Sequence, residues 1–112
     1  MIIAVSGSRS LSPNPRLWDA IIPASTSQII HGGARGVDTS IDRWARAHGL
    51  PVLIIQPVYQ KYGRRAPLQR NDEIIAAADC LIAVWDGHSR GTAYTIRAAR
   101  RRGIAVKVYQ PV

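Results

Sequence analysis

Short runs of apolar residues alternate along the chain with longer stretches in which apolar residues recur at helical spacing. The short runs predict β-strands over residues 2–6, 28–31, 52–56, 80–85 and 104–109. The longer stretches predict helices over residues 15–22, 36–48, 67–78 and 91–102, with a longer loop over residues 57–66. Strands that alternate with helices in this way are typical of a parallel sheet built from βαβ units.

The helix ends carry their own signals. Asn14 and Pro15 are the residue types preferred at a helix N-cap and at the first helical position. In the second helix Val37, Ile41, Trp44 and Ala45 fall on one face, and Gly49 follows as a C-terminal cap.

These elements predict an α/β fold, a single Rossmann-like domain over residues 1–112. The strands are almost continuously apolar, which is expected when helices cover both faces of the sheet. The most economical strand order is 3-2-1-4-5. The chain adds strands on one side of the first strand and then on the other, so the topological switch point lies between the first and fourth strands. Ligands of such sheets bind at the carboxyl ends of the strands near that point.

Composition narrows the class of protein. No apolar run in the 112 residues approaches the length of a membrane span, and the first residues are too short and uncharged for a signal peptide. Cys80, the single cysteine, excludes an intrachain disulfide and a cysteine-based metal site. We therefore expect a cytoplasmic protein with no membrane partner and no metal.

The net charge of +8 arises from 13 Arg and 2 Lys against 7 acidic residues. A basic surface attracts nucleic acid, phosphates and other anions. A composition biased toward Arg and Ala gives the same charge without any such partner. Both interpretations stay open for the surface arginines.

Four segments rich in Gly, Ser, Arg or Asn follow the predicted strands, and the loops at the other end of the sheet lack them. This asymmetry predicts a ligand site. Small residues let the backbone approach a ligand, and a glycine-rich strand-to-helix turn opens the helix N-terminus to an anion. The candidate ligand-binding residues are Gly7, Ser8, Arg9, Gly32, Gly33, Arg35, Gly36, Asp38, Arg64, Arg70, Asn71, Asp86, Gly87, Ser89, Arg90, Gly91 and Thr92.

Each segment also has a purely structural interpretation. Residues 6–10 can be a plain tight turn, residues 62–71 can be a solvated basic loop rather than a flap over a ligand, and residues 86–92 can be an ordinary βα turn with Thr92 near the cap. Asp38 can either cap the second helix or bind a ribose. His31 is more simply a histidine at a strand end than a catalytic group.

With these segments in view, the sequence resembles the SLOG superfamily, Rossmann-like domains related to the LOG enzymes and to DprA, and within it the small YspA-like branch. The resemblance rests on residues 5–9, 31–38 and 62–64, on Arg70-Asn71 and on Gly91-Thr92. It implies a nucleotide-type ligand with its phosphate at Gly91-Thr92, and its sugar or base near residues 7–9 and 32–38. It implies no separate cofactor.

LOG-like enzymes release a free base from nucleoside monophosphates with an arginine and a glutamate that follows the Gly-Thr pair. Arg70 resembles that arginine and is the candidate catalytic residue if the protein is an enzyme. No glutamate follows Thr92, where residues 93–96 read Ala-Tyr-Thr-Ile. Either Asp38 or Asp86 would have to supply the carboxylate that stabilises an oxocarbenium-like centre.

We therefore expect a protein that binds a nucleotide, an ADP-ribose-like molecule or a cyclic signalling nucleotide. It would act as a sensor or a sequestering protein, in phage or prokaryotic defence or counter-defence. The alternatives are a LOG-type phosphoribohydrolase and a DprA-like binder of single-stranded DNA. A homo-oligomer is expected, formed through the third helix with its Ile74, Ile75 and residues 76–78.

Overall fold

Strand β1 (Ile2–Gly7) is the centre of a five-stranded sheet. On one side lie β2 (Gln28–His31) and β3 (Val52–Ile54), and on the other lie β4 (Cys80–Val84) and β5 (Ala105–Tyr109). All pairings are parallel and the order is β3-β2-β1-β4-β5, which confirms the predicted topology. The computed structural model describes residues 1–110.

The helices flank the sheet in two layers. Helices α1 (Pro15–Ile21) and α2 (Val37–Ala47) lie on one face, and α4 (Ala66–Ala77) and α5 (Arg90–Arg102) lie on the other. The four predicted helices are confirmed, with ends that differ by no more than one residue. The prediction of a long loop over residues 57–66 is wrong. A single-turn helix α3 (Tyr59–Tyr62) and a 3-10 turn (Gly63–Arg65) run directly into α4.

The predicted caps Asn14 and Gly49 are present, and Gly49 follows α2 with φ 70° and donates its N–H to the Arg46 carbonyl. Asn14 Oδ1 accepts a hydrogen bond from Arg16 N at 2.9 Å, which satisfies one of the free N–H groups at the start of α1. At the other end of the chain Gly103 adopts a left-handed conformation, with φ 83°, and its N–H returns to carbonyls of the last turn of α5. Local chemistry therefore sets both helix ends.

Each face of the sheet buries its own apolar cluster. The cluster under α1 and α2 contains Trp18 and the predicted α2 face of Val37, Ile41, Trp44 and Ala45. Trp18 is fully buried, and its indole N–H donates to Ser40 Oγ at 2.8 Å, so its one polar atom is satisfied. This bond also ties α1 to α2.

The outer strands are less covered than the sequence predicts. Leu53 and Ile54 of β3 are 41% and 37% exposed, and Ala105 and Lys107 of β5 are exposed. Helix α2 packs across β1, β2 and β3, with most of its contact on β1, so its apolar face covers the edge strand β3 least. The expectation that both faces of every strand are covered is therefore wrong for the edge strands.

The apolar face of α4 is used within the chain. Ile74 and Ile75 are buried against the sheet, and the exposed members of the predicted contact are Ala76 and Ala77. Cys80 is buried in β4, as expected, and burial raises the pKa of its thiol. Among residues 1–110 no helix has the length and apolar character needed to cross a membrane.

Candidate functional site

A cavity of about 400 Å³ opens at the carboxyl ends of β1, β2 and β4, where the strand order reverses. This is the position predicted from the topology, and the volume lies in the range of small-molecule sites, about 300–1,000 Å³. The first turns of α4 and α5 close its other sides.

The cavity brings together most of the candidate residues. Those that line it are Gly7, Ser8, Arg9, Gly32, Asp38, Arg70, Asn71, Asp86, Ser89, Gly91 and Thr92. The candidates outside its lining are Gly33, Arg35, Gly36, Arg64, Gly87 and Arg90. The list of candidate residues omits the lining residues Val5, Ser6, Ser10, Ala34, Pro67, Leu68, Ile74 and Thr95, although Ser6, Ser10, Ala34, Pro67 and Leu68 lie within the candidate segments.

The β1–α1 loop is fastened to the loop that follows β4. Ser8 is buried, its N–H donates to the Val84 carbonyl at 3.1 Å, and its hydroxyl accepts from Asp86 N at 3.0 Å. At Gly7 a Cβ would lie 2.5 Å from the Val37 side chain, so only glycine lets α2 come this close to β1. Arg9 stays exposed at the mouth of the cavity.

Asp38 folds the glycine-rich loop between β2 and α2. Its Oδ2 accepts from Gly32 N at 3.2 Å and from Ala34 N at 3.1 Å. Burial raises the pKa of the Asp38 carboxyl, and the N–H groups of Ala34 and Gly32 oppose that rise. The carboxylate thus holds the loop that precedes its helix, and it also faces the cavity.

His31 supports the same loop from behind. Its Nδ1 accepts from Gly33 N at 3.0 Å, so this nitrogen carries no proton and Nε2–H donates to Asp42 Oδ1 at 2.8 Å. Arg46 donates to the other oxygen of Asp42 at 2.9 Å, and this bond is the main reason that the pKa of Asp42 is lowered. His31 does not line the cavity, and its contacts fit the structural interpretation.

Arg70 joins α4 to the glycine-rich loop. Its Nη1 donates to the Gly32 carbonyl, and its Nε donates to Asn71 Oδ1 at 2.8 Å. Arg70 is only 8% exposed, and burial lowers the pKa of its guanidinium while the Asp38 carboxylate opposes that effect. A Cβ on Gly32 would overlap the guanidinium, so a larger residue there would displace Arg70 from this position.

Asp86 shapes the turn that leads into α5. Its Oδ1 accepts from His88 N and from Ser89 N, both at 2.8 Å, and these bonds lower the pKa of its carboxyl. Trp85 lies beside this turn and donates to the Ser89 carbonyl at 3.0 Å, but it is outside the cavity lining. The carboxylate is thus occupied with its own loop.

The first turn of α5 leaves backbone donors open. Within residues 1–110 the N–H groups of Arg90, Gly91 and Thr92 have no hydrogen-bond acceptor, and no side chain caps the helix. Thr92 is buried, and its Oγ1 lies 3.2 Å from Ser89 Oγ. A helix N-terminus of this kind, flanked by two hydroxyls in a cavity, has the chemistry of an anion site.

Comparison with known proteins places these features in a family. Residues 1–62 match the model of the YspA, cpYpsA-related SLOG family. The chain is also similar to the Gene 61 protein of Mycobacterium phage D29, with 33% identity over 115 residues. That alignment covers 93% of this chain and 92% of the phage protein. No solved structure matches the chain significantly.

Proposed function

The chain belongs to the YspA, cpYpsA-related SLOG family, and from that membership and the geometry of the cavity we propose that it binds a nucleotide-type ligand. The ligand class comprises nucleotides, ADP-ribose-like molecules and cyclic signalling nucleotides. Its phosphate binds at the start of α5, and its sugar or base lies toward Gly7, Gly32 and Asp38. The protein holds its ligand without cleaving it.

The open donors of α5 carry this proposal. Gly91 and Thr92 line the cavity, and their N–H groups lack an acceptor within residues 1–110. The positive end of the helix macrodipole adds to the attraction of these N–H groups for an anion. The second loop contributes Gly32, Ala34 and Asp38 to the lining, and the Asp38 carboxylate that faces the cavity can accept from a sugar hydroxyl.

Charge at the cavity is balanced rather than uniformly basic. Arg9 and Arg70 line it together with Asp38 and Asp86. Arg35, Arg64 and Arg90 are exposed and lie outside the lining. Because Arg70 is engaged by Gly32 and Asn71, Arg9 is the cation that remains for a phosphate. Backbone N–H groups therefore contribute a larger share of anion affinity than the arginine-rich sequence suggests.

The occupied carboxylates favour binding over hydrolysis. Cleavage of a glycosidic bond needs a carboxylate or a comparable group beside the developing positive charge. Asp38 Oδ2 accepts two N–H groups of its own loop, and Asp86 Oδ1 accepts two of its own loop. Arg70 likewise buttresses the loop instead of projecting free into the cavity.

Isothermal titration calorimetry with adenosine monophosphate, ADP-ribose and a cyclic dinucleotide tests the proposal. We expect at least one of these to bind with a micromolar Kd and to be recovered intact by chromatography. The variant Arg9→Gln should weaken binding about ten-fold, since it removes one charged partner of the phosphate. The matched control Arg16→Gln changes an exposed arginine of α1 outside the cavity and should bind as the wild type does.

Absence of binding by every member of the panel at high micromolar concentration would refute the proposal. Release of free base during incubation would instead support the phosphoribohydrolase. The sensing or sequestering role in phage or prokaryotic defence rests on the binding activity and on the similarity to a phage protein. Intact recovery of the ligand from a stoichiometric complex is the result expected of such a role.

One observation favours nucleic-acid binding as a second candidate function. Helix α5 carries Arg90, Arg97 and residues 100–102 without an acidic residue, and no ion pair within residues 1–110 involves these arginines. Arg90, Arg97 and Arg101 recur at spacings of seven and four residues, which places them along one stripe. Fluorescence anisotropy with a single-stranded oligonucleotide should show affinity that falls steeply with salt and is lost in Arg97→Glu/Arg101→Glu. Salt-independent binding, or binding that survives the charge reversal, would count against this function.

A further inference from the structure

A second cavity of about 320 Å³ lies beside the first, on the face of the sheet that carries α1. Its walls are mainly apolar and come from Leu11, Leu17, Val84 and Tyr109. The exposed amide side chain of Gln110 completes one side of the lining. Nothing in the proposed function uses this cavity.

The topology explains why the cavity exists. Helix α2 packs over β1, β2 and β3, and α1 packs on α2, so this layer of helices is centred on one half of the sheet. On the same face the edge strand β5 exposes Ala105 and Lys107. Tyr109, at the end of β5, is half-buried and lines the cavity together with residues 11–14 of the β1–α1 loop and Leu17 of α1. An apolar recess therefore remains where the strand ends.

The two cavities share one wall. Ser8, Arg9 and Ser10 of the β1–α1 loop line the first cavity, and the next residues of that loop, 11–14, line the second. Ser10 Oγ lies 3.4 Å from Asp86 Oδ2, and this pair, of an exposed serine and a half-buried aspartate, lies at the boundary. A single ligand that crosses this boundary would contact both cavities from the same edge of the sheet.

The chemistry of the two cavities is complementary. The first offers N–H groups, hydroxyls and Arg9, which suit a phosphate and a ribose. The second offers aliphatic walls, the ring of Tyr109 and side-chain amides, which suit a planar heteroaromatic ring that stacks and hydrogen-bonds at its edge. Polar and apolar parts of one ligand would thus be separated by the Ser10–Asp86 pair.

We infer that the second cavity is a base-binding subsite, and that the ligand is a dinucleotide in which two nucleosides are joined through phosphates. This inference rests on the proposed function, because the phosphates occupy the first cavity. One nucleoside lies with the phosphates against Gly32 and Asp38. The base of the other passes over Ser10 and lies between Leu17 and Tyr109 in the second cavity.

Calorimetry with adenosine monophosphate and diadenosine diphosphate tests this assignment. We expect the wild-type protein to bind diadenosine diphosphate, the two-headed ligand, at least about ten-fold more tightly than adenosine monophosphate, since stacking of one more base adds to affinity. Ser12→Trp fills the second cavity from an exposed position whose side chain makes no hydrogen bond within residues 1–110. It should abolish that advantage and leave the affinity for adenosine monophosphate unchanged.

Ala24→Trp is the matched control, since it adds the same side chain at an exposed position outside both cavities. It should keep the full advantage of the two-headed ligand. Tyr109→Leu gives a second test, in which the stacking ring is removed without filling the cavity. It should reduce the advantage, and thermal melting shows that the variants remain folded.

The outcomes separate the two proposals. If adenosine monophosphate binds but the two-headed ligand gains nothing, the subsite is refuted and the proposed function stands. If Ser12→Trp and Tyr109→Leu both keep the advantage, the second base lies elsewhere and the subsite is again refuted. If neither nucleotide binds the wild-type protein, the proposed function itself fails.

Discussion

The guanidinium of Arg70 donates a hydrogen bond to the carbonyl oxygen of Gly32, 38 positions earlier in the chain. This bond joins the first turns of α4 to the loop after β2. The positive charge of the same guanidinium also opposes the rise that burial causes in the pKa of Asp38, the carboxylate that holds that loop. The candidate site is therefore built around a buried polar network before any ligand arrives.

Loss of the Arg70 guanidinium should destabilise the fold. In Arg70→Met the Gly32 carbonyl loses its charged donor, and Asp38 loses a nearby cation. We expect the free energy of unfolding to fall by about 1.5–3 kcal/mol. Denaturant unfolding measures this, with the exposed Arg97→Met as a control that should change little. An unchanged midpoint for Arg70→Met would show that the bond contributes nothing to stability.

Replacement of Asp38 tests the loop-folding role of its carboxylate. Asp38→Ala leaves the N–H groups of Gly32 and Ala34 without their acceptor, which we expect to cost about 1–3 kcal/mol. Asp38→Asn keeps an acceptor oxygen and removes a charge that burial disfavours, so it should cost less. Urea unfolding of both variants near neutral pH provides the comparison. An asparagine variant less stable than the alanine variant would contradict this role.

The stability of the loop after β4 should depend on acidity through Asp86. The pKa of this carboxyl lies below its ordinary value of 3.8 in the folded chain, because His88 N and Ser89 N donate to the ionised form. The stabilisation is therefore present above about pH 4 and is lost as the pH falls through the folded value.

Thermal melting from pH 7 to pH 3 measures this dependence. Asp86→Asn should be less stable than the wild type at pH 7, and the difference should shrink as the pH falls below 4. The exposed Glu73→Gln, at a carboxylate that makes no hydrogen bond within residues 1–110, controls for general effects of charge removal. A difference between wild type and Asp86→Asn that stays constant over this range would count against the assignment.

Two glycines with positive φ separate backbone strain from close approach. Gly36 has φ 78° and ψ −121°, and Gly63 has φ 58° and ψ −133°, but a Cβ on Gly36 would lie 2.5 Å from the Arg9 carbonyl oxygen, while a Cβ on Gly63 would meet nothing within 4 Å. Gly63→Ala should therefore cost about 1–3 kcal/mol from backbone conformation alone. Gly36→Ala should cost clearly more and should also displace the β1–α1 loop. Equal losses in chemical denaturation would show that the approach of Arg9 to α2 is unimportant.

Much of the fold follows from local sequence patterns. The apolar runs predict all five strands, and the regular βαβ alternation then leaves few topologies, of which the observed order is the simplest. The helical turns over residues 59–65 were not predicted, because helices of one turn bury too few side chains to show a helical pattern of apolar residues. The exposure of the edge strands was also not predicted, because this exposure depends on where α2 lies relative to the whole sheet.

The candidate site, like the fold, was predictable from the sequence only in part. Strand-end glycines and hydroxyls mark the loops that converge, because parallel strands bring their carboxyl ends to one edge. The partners of Arg70 and Asp38 are not visible in the sequence, since one depends on a contact across 38 positions and the other on the fold of a loop. Pro67 and Leu68 of a candidate segment were not singled out, and Ile74 was missed, because apolar residues of a helix resemble ordinary core positions.

The central position of β1 has a consequence for folding and for recombination within the sequence. Residues 1–62, which match the family model, contain β1 but not β4, with which β1 forms its longest pairing, over Ile3–Gly7. They also lack α4 and α5, which cover the second face. This half cannot close its own core, so folding is cooperative across distant sequence, and recombination at residue 62 would break a single folding unit. The loops of the first half also reach across that division, since the Gly32 carbonyl accepts from Arg70 and the Ser8 N–H donates to the Val84 carbonyl.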